Sequence, residues 1–434
     1  MAVVSVTPAT IVSVVSAAQA GDVIELGRGT YPSLPRKSGL TYRAFDHGEP
    51  GKAVKDTRGH LGQGFGVRVT DFLGGSYSGV KYQGIFWDTR EKRGINGAVL
   101  SGRDVEFHGC VAVDRPTDGS RRIMLTPLGS GGPFEGFAWI EGRVHLQGKW
   151  KDTHDHPFYL KNCLRPRIVD SLIYDAGWFA LHLYPNCDEG DFSGLVIWGC
   201  GSAAAFSAEN ATANPSAGIT GASERNRITR SIIGAGHGRP GWQSGGGGYL
   251  IESYAPSGAP RPTGNVVSDC FLTRFGGTAQ LVEPGISDRV ALVDCVLGDA
   301  DPGFADPANG DFRLKSGAPA VGYGPTWIQP QGAPPPSEPP PPDPEPEPEP
   351  PAPAPEPEPP APANPHRISP GLRAALAEQV LERSGQQKGR ALALAKRFEE
   401  RREAGYAERS REIAVNADRL VAEVADLLDK AEEI

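Results

Sequence analysis

Residues 1–20 contain no lysine or arginine. A secretory leader needs a basic n-region ahead of its apolar run, and here Ser5, Thr7, Pro8, Thr10, Ser13 and Ser16 also break up that run. Ala18-Gln19-Ala20 before Gly21 has the small residues of a cleavage site. The stretch VVSAAQAGDVIELGRGTY reads better as a short helix, a Gly-Asp turn, and a strand carrying Val23, Ile24 and Leu26. No run of 18 apolar residues occurs, so no membrane-spanning helix is expected. No CxxC spacing occurs, which argues against a zinc site, and six cysteines in 434 residues are too few for a disulfide scaffold. No basic stripe suited to nucleic acid is present. A GxSxG nucleophile motif is absent as well.

What is abundant is glycine, at 56, and proline, at 41. Glycine suits turn-rich β structure, whereas the proline is concentrated past residue 332. There, residues 332–366 hold seven of the acids behind the net charge of −8 (Glu338, Asp343, Glu345, Glu347, Glu349, Glu356 and Glu358) and no base before His366. Such a stretch buries almost nothing and favours an extended polyproline II spacer, with a PxxP ligand as the other reading. Three segments follow: a domain over 1–331, a Pro/Glu linker over 332–368, and a helical segment over 369–434. In the last, Ile413, Ala417, Leu420, Val424, Leu427, Ala431 and Ile434 alternate steps of four and three. That is either a coiled-coil seam for self-association or one face of a helical hairpin.

Within the N-terminal domain a single pattern recurs. It begins Tyr82-Gln-Gly-Ile85, Phe107-His-Gly-Cys110, Phe134-Glu-Gly-Phe137, Ile168-Val-Asp-Ser171, Phe192-Ser-Gly-Leu195, Ile228-Thr-Arg-Ser231, Val267-Ser-Asp-Cys270 and Leu292-Val-Asp-Cys295. A minimum step of about two dozen residues fits a solenoid in which each coil is one rung, with like residues stacked in ladders. Cys110, Ser171, Ser231, Cys270 and Cys295 are expected in one such ladder. Stacked rungs lie about 4.8 Å apart, which would bring Cys270 near Cys295 and Cys163 near Cys187 without requiring a bond.

These features resemble the right-handed parallel β-helix, or pectate-lyase-like, family. AAQAGDVIELGRGTY resembles its opening cap and first coil, and NGDFRLKSGAPAVGYG at 309–324 is similar to its closing segment. The resemblance covers residues 1 to about 328 and implies the fold: mainly β, a single-stranded parallel solenoid. The family carries lyases, hydrolases, epimerases and inert adhesins, so it does not choose among them. The lyases' motif of an arginine base with an aspartate calcium cluster is not recognisable; CDEGDF at 187–192 comes nearest and reads as a turn between strands.

Candidate chemistry sits in two columns. Asp114, Glu141 and Asp175 fall four residues past successive reference positions and are expected on successive rungs, either as a carboxylate cluster for hydrolysis or Ca²⁺, or as solvated turns. The second column comes from FYLKNC, FALHLYPNC, FSAEN, YLIES and LVEP. Taking Phe179, Leu181 and Leu183 as inward, the outward residues are Lys161, Tyr184, Glu209, Glu252 and Glu283, with Tyr159, His182 and Ser207 two before them. Acids, an imidazole, a phenol and an amine on one face are ingredients of acid/base chemistry on sugars. Trp150, Trp178 and Trp242 could stack on sugar rings, and the residues after Glu209 and Glu252 could wall a groove. HDH at 154–156 has no third histidine placed near it, so no metal and no cofactor is expected.

A β-helix without a leader, an acidic proline spacer and a helical end together resemble minor tail proteins and tailspikes of phages that infect actinobacteria. The resemblance implies a virion component made in the host cytoplasm and touching a host surface polysaccharide. Its helical end would bind other tail proteins or join copies, a trimer by analogy. A polysaccharide lyase or hydrolase, and a purely structural tail component, are the alternatives.

Overall fold

The computed structural model describes residues 1–47, 66–71, 75–76, 78–88, 98–114, 123–127, 133–146, 156–209, 220–237 and 248–330. Contacts divide the chain into Met1–Pro339 and Pro340–Ile434. The spacer over 332–368 and the helical segment over 369–434 lie outside the described residues. Among the described residues there is one α-helix, Ile11–Ala17, and the rest of the regular structure is short strands and two 3-10 turns. One coil shows the plan: Arg167–Val169, Leu172–Tyr174 and Phe179–Leu183 join three different sheets, and Asp191–Ser193 then pairs in parallel with Arg167–Val169. Repetition builds parallel stacks of eleven, ten and eight strands, and Gly221–Ala222 adds a ninth, antiparallel strand to the last sheet. The architecture is a right-handed parallel β-helix.

The repeat works because each position has one job. Its first residue faces the interior, and successive copies pair in register: Tyr42, Tyr82, Phe107, Trp139, Ile168, Phe192, Ile228, Val267 and Leu292 form one ladder through the eleven-stranded sheet. Aromatic members stack along the axis, Tyr42 on Tyr82 at 5.6 Å and Tyr82 on Phe107 at 4.9 Å between centroids. Each such pair contributes roughly 0.5–1.5 kcal/mol beyond burial. The third position turns the corner with a left-handed backbone: Gly84, Gly109, Glu141, Asp170, Gly194, Arg230, Asp269 and Asp294 all have φ between 47° and 65°. Glycine and aspartate are enriched there because L side chains resist that conformation and these two resist it least.

The next residue stacks into the expected ladder of Cys110, Ser171, Ser231, Cys270 and Cys295, with Ile85 on the rung before it and Gly142 and Leu195 within it. Its side chain ties down the corner: Ser171 Oγ donates to the Val169 carbonyl at 2.7 Å, and Ser231 Oγ to that of Thr229 at 2.8 Å. One rung departs from expectation. Phe107 pairs with Trp139, so the corner of that coil is Glu141-Gly142 and not Gly136-Phe137. Phe134–Glu135 belongs instead to a small three-stranded sheet with Cys163–Leu164 and Cys187–Asp188.

The helix closes the first coil with Ile11 and Val15 buried beneath it. From Leu172 onward the outer face of the ten-stranded sheet is largely apolar, which the sequence columns did not disclose. Leu172, Tyr174, Val196, Trp198, Ile232 and Phe271 face outward there and are covered by the returning segment with Phe304, Phe312, Leu314 and Ile328. Trp327 Nε1 of that segment donates to the Asp170 carbonyl at 3.1 Å. Along another corner, Glu135 lies between Arg103 and Arg165, and Glu189 between Arg165 and Arg225. All are solvated, so the alternation suppresses like-charge stacking more than it adds stability.

Candidate functional site

The nine-stranded sheet carries most of the candidate residues. Its interior positions include Phe158, Leu160, Leu181, Leu183, Ala204, Phe206 and Ile251. On three rungs two consecutive residues enter the core: Ala180 with Leu181, Ala203 with Ala204, and Leu250 with Ile251. This break in alternation reverses the phase of everything before it. Phe179, expected inward, therefore packs outside with Trp178 and Ala205.

The register also revises the expected column. Tyr159, His182, Ala205 and Glu252 lie in one row, so Glu252 belongs with His182 and not with Tyr184. One outward step on, Lys161 and Tyr184 share a row with Ser207 and Tyr254. Glu209 sits a further two residues along its strand, Ser202–Glu209, which is longer than the repeat suggests. Matching Ser207 with His182 and Glu209 with Tyr184 sets Phe206 opposite Leu181, whereas Phe206 pairs with Leu183, one inward position further on.

Glu209 nonetheless reaches back to the expected partners. Its Oε2 accepts a hydrogen bond from the Tyr184 hydroxyl, and the carboxylate is 4 % exposed. The Lys161 ammonium lies over the Tyr184 ring, 6.0 Å from its centroid. Burial holds the Lys161 amine below the ordinary lysine range, although nearby Glu209 pulls it the other way. Burial, assisted by Glu209, pushes the Tyr159 phenol well above its ordinary value. A half-buried amine, two phenols and a sheltered carboxylate thus share one patch.

An aromatic cluster adjoins it. His182 sits at the centre, 4.8 Å from Tyr159 edge-on, 5.2 Å from Tyr184, 4.9 Å from Phe179 and 4.8 Å from His156, centroid to centroid. His156 lies flat on Phe179 at 5.6 Å with planes 8° apart, and 5.2 Å from Trp178. Trp178, expected as an open stacking surface, is 7 % exposed and acts as the cluster's wall. Sequence reading missed His156 and Phe179 as members: alternation hid the second, and the first was weighed only as half of HDH.

The remaining candidates do not converge here. Asp114 pairs with Leu146, and His145 with Tyr174, which puts Asp175 in register with Leu146. Glu141 is the left-handed corner residue of another edge, so the expected three-carboxylate column does not form. Asp175 Oδ2 instead meets His145 Nε2 at 2.9 Å, where the imidazole stacks on Tyr174 at 4.2 Å. Glu283 follows Glu252 in row, and its Oε2 accepts from the Ser253 amide at 2.8 Å. Trp150 and Trp242, His154 and Asp155, and residues 210–219 lie outside the described residues. Among the described residues no group of three or more His, Cys, Asp or Glu is arranged to hold a metal ion.

No protein-family model matches the chain, and no curated protein matches it. Among solved structures, a PL6 family alginate lyase aligns at 12 % identity and a TM-score of 0.29, over 68 % of this chain and 40 % of that one. A likeness of that size adds nothing to the reading of the site, which rests on the geometry above.

Proposed function

We propose that the outer face of the nine-stranded sheet engages a cell-surface polysaccharide, and that the chain is a bacteriophage tail component that presents this face to its host. The observation behind the glycan assignment is the patch in which Tyr184 donates to Glu209 beside Lys161, Tyr159 and the ring cluster of His182, His156 and Phe179. Carboxylate, phenol and ammonium groups match sugar hydroxyl and carboxylate groups, while adjoining rings match the apolar faces of sugar rings. The tail assignment rests on sequence alone: a stiff acidic spacer and a heptad-patterned end suit a module held out from an assembly. The helical end would then bind other tail proteins or trimerise.

A second reading is favoured by one feature of the same patch. Burial lowers the Lys161 amine from its ordinary value, the direction a proton acceptor needs, and the Tyr184 phenol carries a donatable proton. In a polysaccharide lyase the amine would take the proton beside a uronate carboxylate as the phenol protonates the departing glycosidic oxygen. Paired-carboxylate hydrolysis fits less well. Glu209 and Glu252 lie four residues apart along adjacent strands, about 13 Å by main chain, against carboxyl spacings of about 5–9.5 Å in glycosidases.

The test incubates the full-length protein with surface polysaccharides from candidate hosts and follows retention, new reducing ends and unsaturated-sugar absorbance together. Retention weakened at least tenfold by Glu209→Gln supports the site. Absorbance lost in Lys161→Met adds lyase activity. Retention by no glycan overturns the proposal and leaves a structural tail component.

A further inference from the structure

We propose that Cys270 and Cys295 form a redox pair that closes to a disulfide and staples the last two coils together. The two residues open adjacent strands: Phe271 pairs with Val296 in parallel, so Cys270 and Cys295 are register partners in the corner ladder. Neighbouring strands at about 4.8 Å place their Cα atoms within the 4.4–6.8 Å that a disulfide spans. The thiols bond each other and, weakly, nearby carbonyls, Cys270 that of Ser268 at 3.1 Å and Cys295 that of Val267 at 3.3 Å. Closure therefore forfeits little.

Access separates this pair from the other one. Cys163 and Cys187 are register partners too, yet both are fully buried, and burial pushes both thiols far above the ordinary range. Cys295 alone of the six is partly exposed. Its hydrogen bond with Cys270 holds the Cys295 thiol below its ordinary value, the direction that favours the attacking thiolate. It also stands where a covalent tie has most to hold. Val296–Gly298 is the terminal strand of its sheet, and Val293, Val296 and Leu297 are 44 %, 43 % and 51 % exposed around it. A coil with a neighbour on one side only is the first to open.

The chemistry needs a co-reactant, a small-molecule disulfide such as oxidised glutathione. The Cys295 thiolate attacks one of its sulfurs, forming a mixed disulfide and releasing one thiolate. That thiolate takes the Cys270 proton. Cys270 then attacks the Cys295 sulfur and expels the second small-molecule thiolate, which a solvent proton neutralises. The two protein thiols are oxidised by two electrons, and the oxidant is reduced to two thiols.

The full-length native protein is incubated with oxidised glutathione, alkylated under denaturing conditions and mapped by peptide mass spectrometry. The expected result is a Cys270–Cys295 cross-linked peptide, with Cys110, Cys163, Cys187 and Cys200 alkylated as free thiols. The thermal midpoint should rise by a few degrees on oxidation in the parent chain and stay fixed in Cys295→Ser. Persistence of glutathione on Cys295, absence of any reaction there, or equal cross-linking of Cys163 to Cys187 would each overturn the proposal. The mapping uses the unsubstituted chain, so it decides the matter even if the variant folds poorly.

Discussion

At the scale of single residues, the patch around Glu209 makes demands that can be measured. Tyr184→Phe removes a hydrogen-bond donor from a carboxylate that is 4 % exposed. It should cost about 1–3 kcal/mol in denaturant unfolding, more than a solvated tyrosine would. Lys161 titrates below its ordinary range when folded, so between that lowered value and about 10.4 the unfolded chain binds more protons. Stability should therefore rise with pH across that window in the parent relative to Lys161→Met; a difference that stays flat would mean that burial does not lower the amine. The raised Tyr159 phenol acts in both proteins, lowering the stability of each at higher pH because the unfolded phenol ionises first, and it cancels in the difference. Gly194 is the sharpest test of the corners. At φ 63° an added Cβ would sit 2.4 Å from Asp170 Oδ1, and Gly194→Ala should cost at least about 1–2 kcal/mol in equilibrium unfolding. Such corners were legible in the sequence as Gly or Asp in the third place of the repeat. Glu141 was not, because a glutamate in the left-handed region follows no composition rule.

At the scale of elements, the sequence disclosed ladders better than faces. Most first positions of the repeat, from Tyr82 to Leu292, stack as expected because interior stacking tolerates only a few residue types. Trp139 was displaced by Phe134, an apolar decoy five residues earlier that serves a different sheet. The site suffered more. Consecutive inward residues at 180–181, 203–204 and 250–251 break the period of two on which outward assignments depend. Six of its members, Tyr159, Lys161, His182, Tyr184, Glu209 and Glu252, were named from sequence; Tyr159 with His182 and Lys161 with Tyr184 stand in the rows expected, whereas Glu209 and Glu252 do not. The corner ladder of Arg103, Glu135, Arg165, Glu189 and Arg225 gives an element-scale prediction. Glu135→Gln should cost less than about 1 kcal/mol, and the cost should shrink in high salt. A larger, salt-independent loss in urea unfolding would mean the ladder holds the rungs together.

At the scale of the N-terminal domain, the solenoid covers one flank with its own returning segment. The returning segment lies over the ten-stranded sheet, with Phe312 5.0 Å from Tyr174 and 5.1 Å from Phe304. Phe312→Ala should cost about 3–5 kcal/mol and raise binding of an apolar dye as that flank is uncovered. Unchanged dye binding would show that the segment holds without its central ring. The sequence could not name this flank, since its apolar residues alternate with interior ones and read as plain hydrophobic runs such as Leu172-Ile-Tyr174. The nine-stranded sheet has the opposite character, and the account stands or falls on it. Its central claim is that glycan is held at the Tyr184–Glu209 patch and not elsewhere on the solenoid. The most direct measurement compares the affinity of the full-length protein for a retained host polysaccharide with that of Glu209→Gln and His182→Ala, and with Glu106→Gln on the eleven-stranded sheet as control. The account predicts at least tenfold weaker binding for the first two and no change for the control. Equal binding by all four proteins would contradict it.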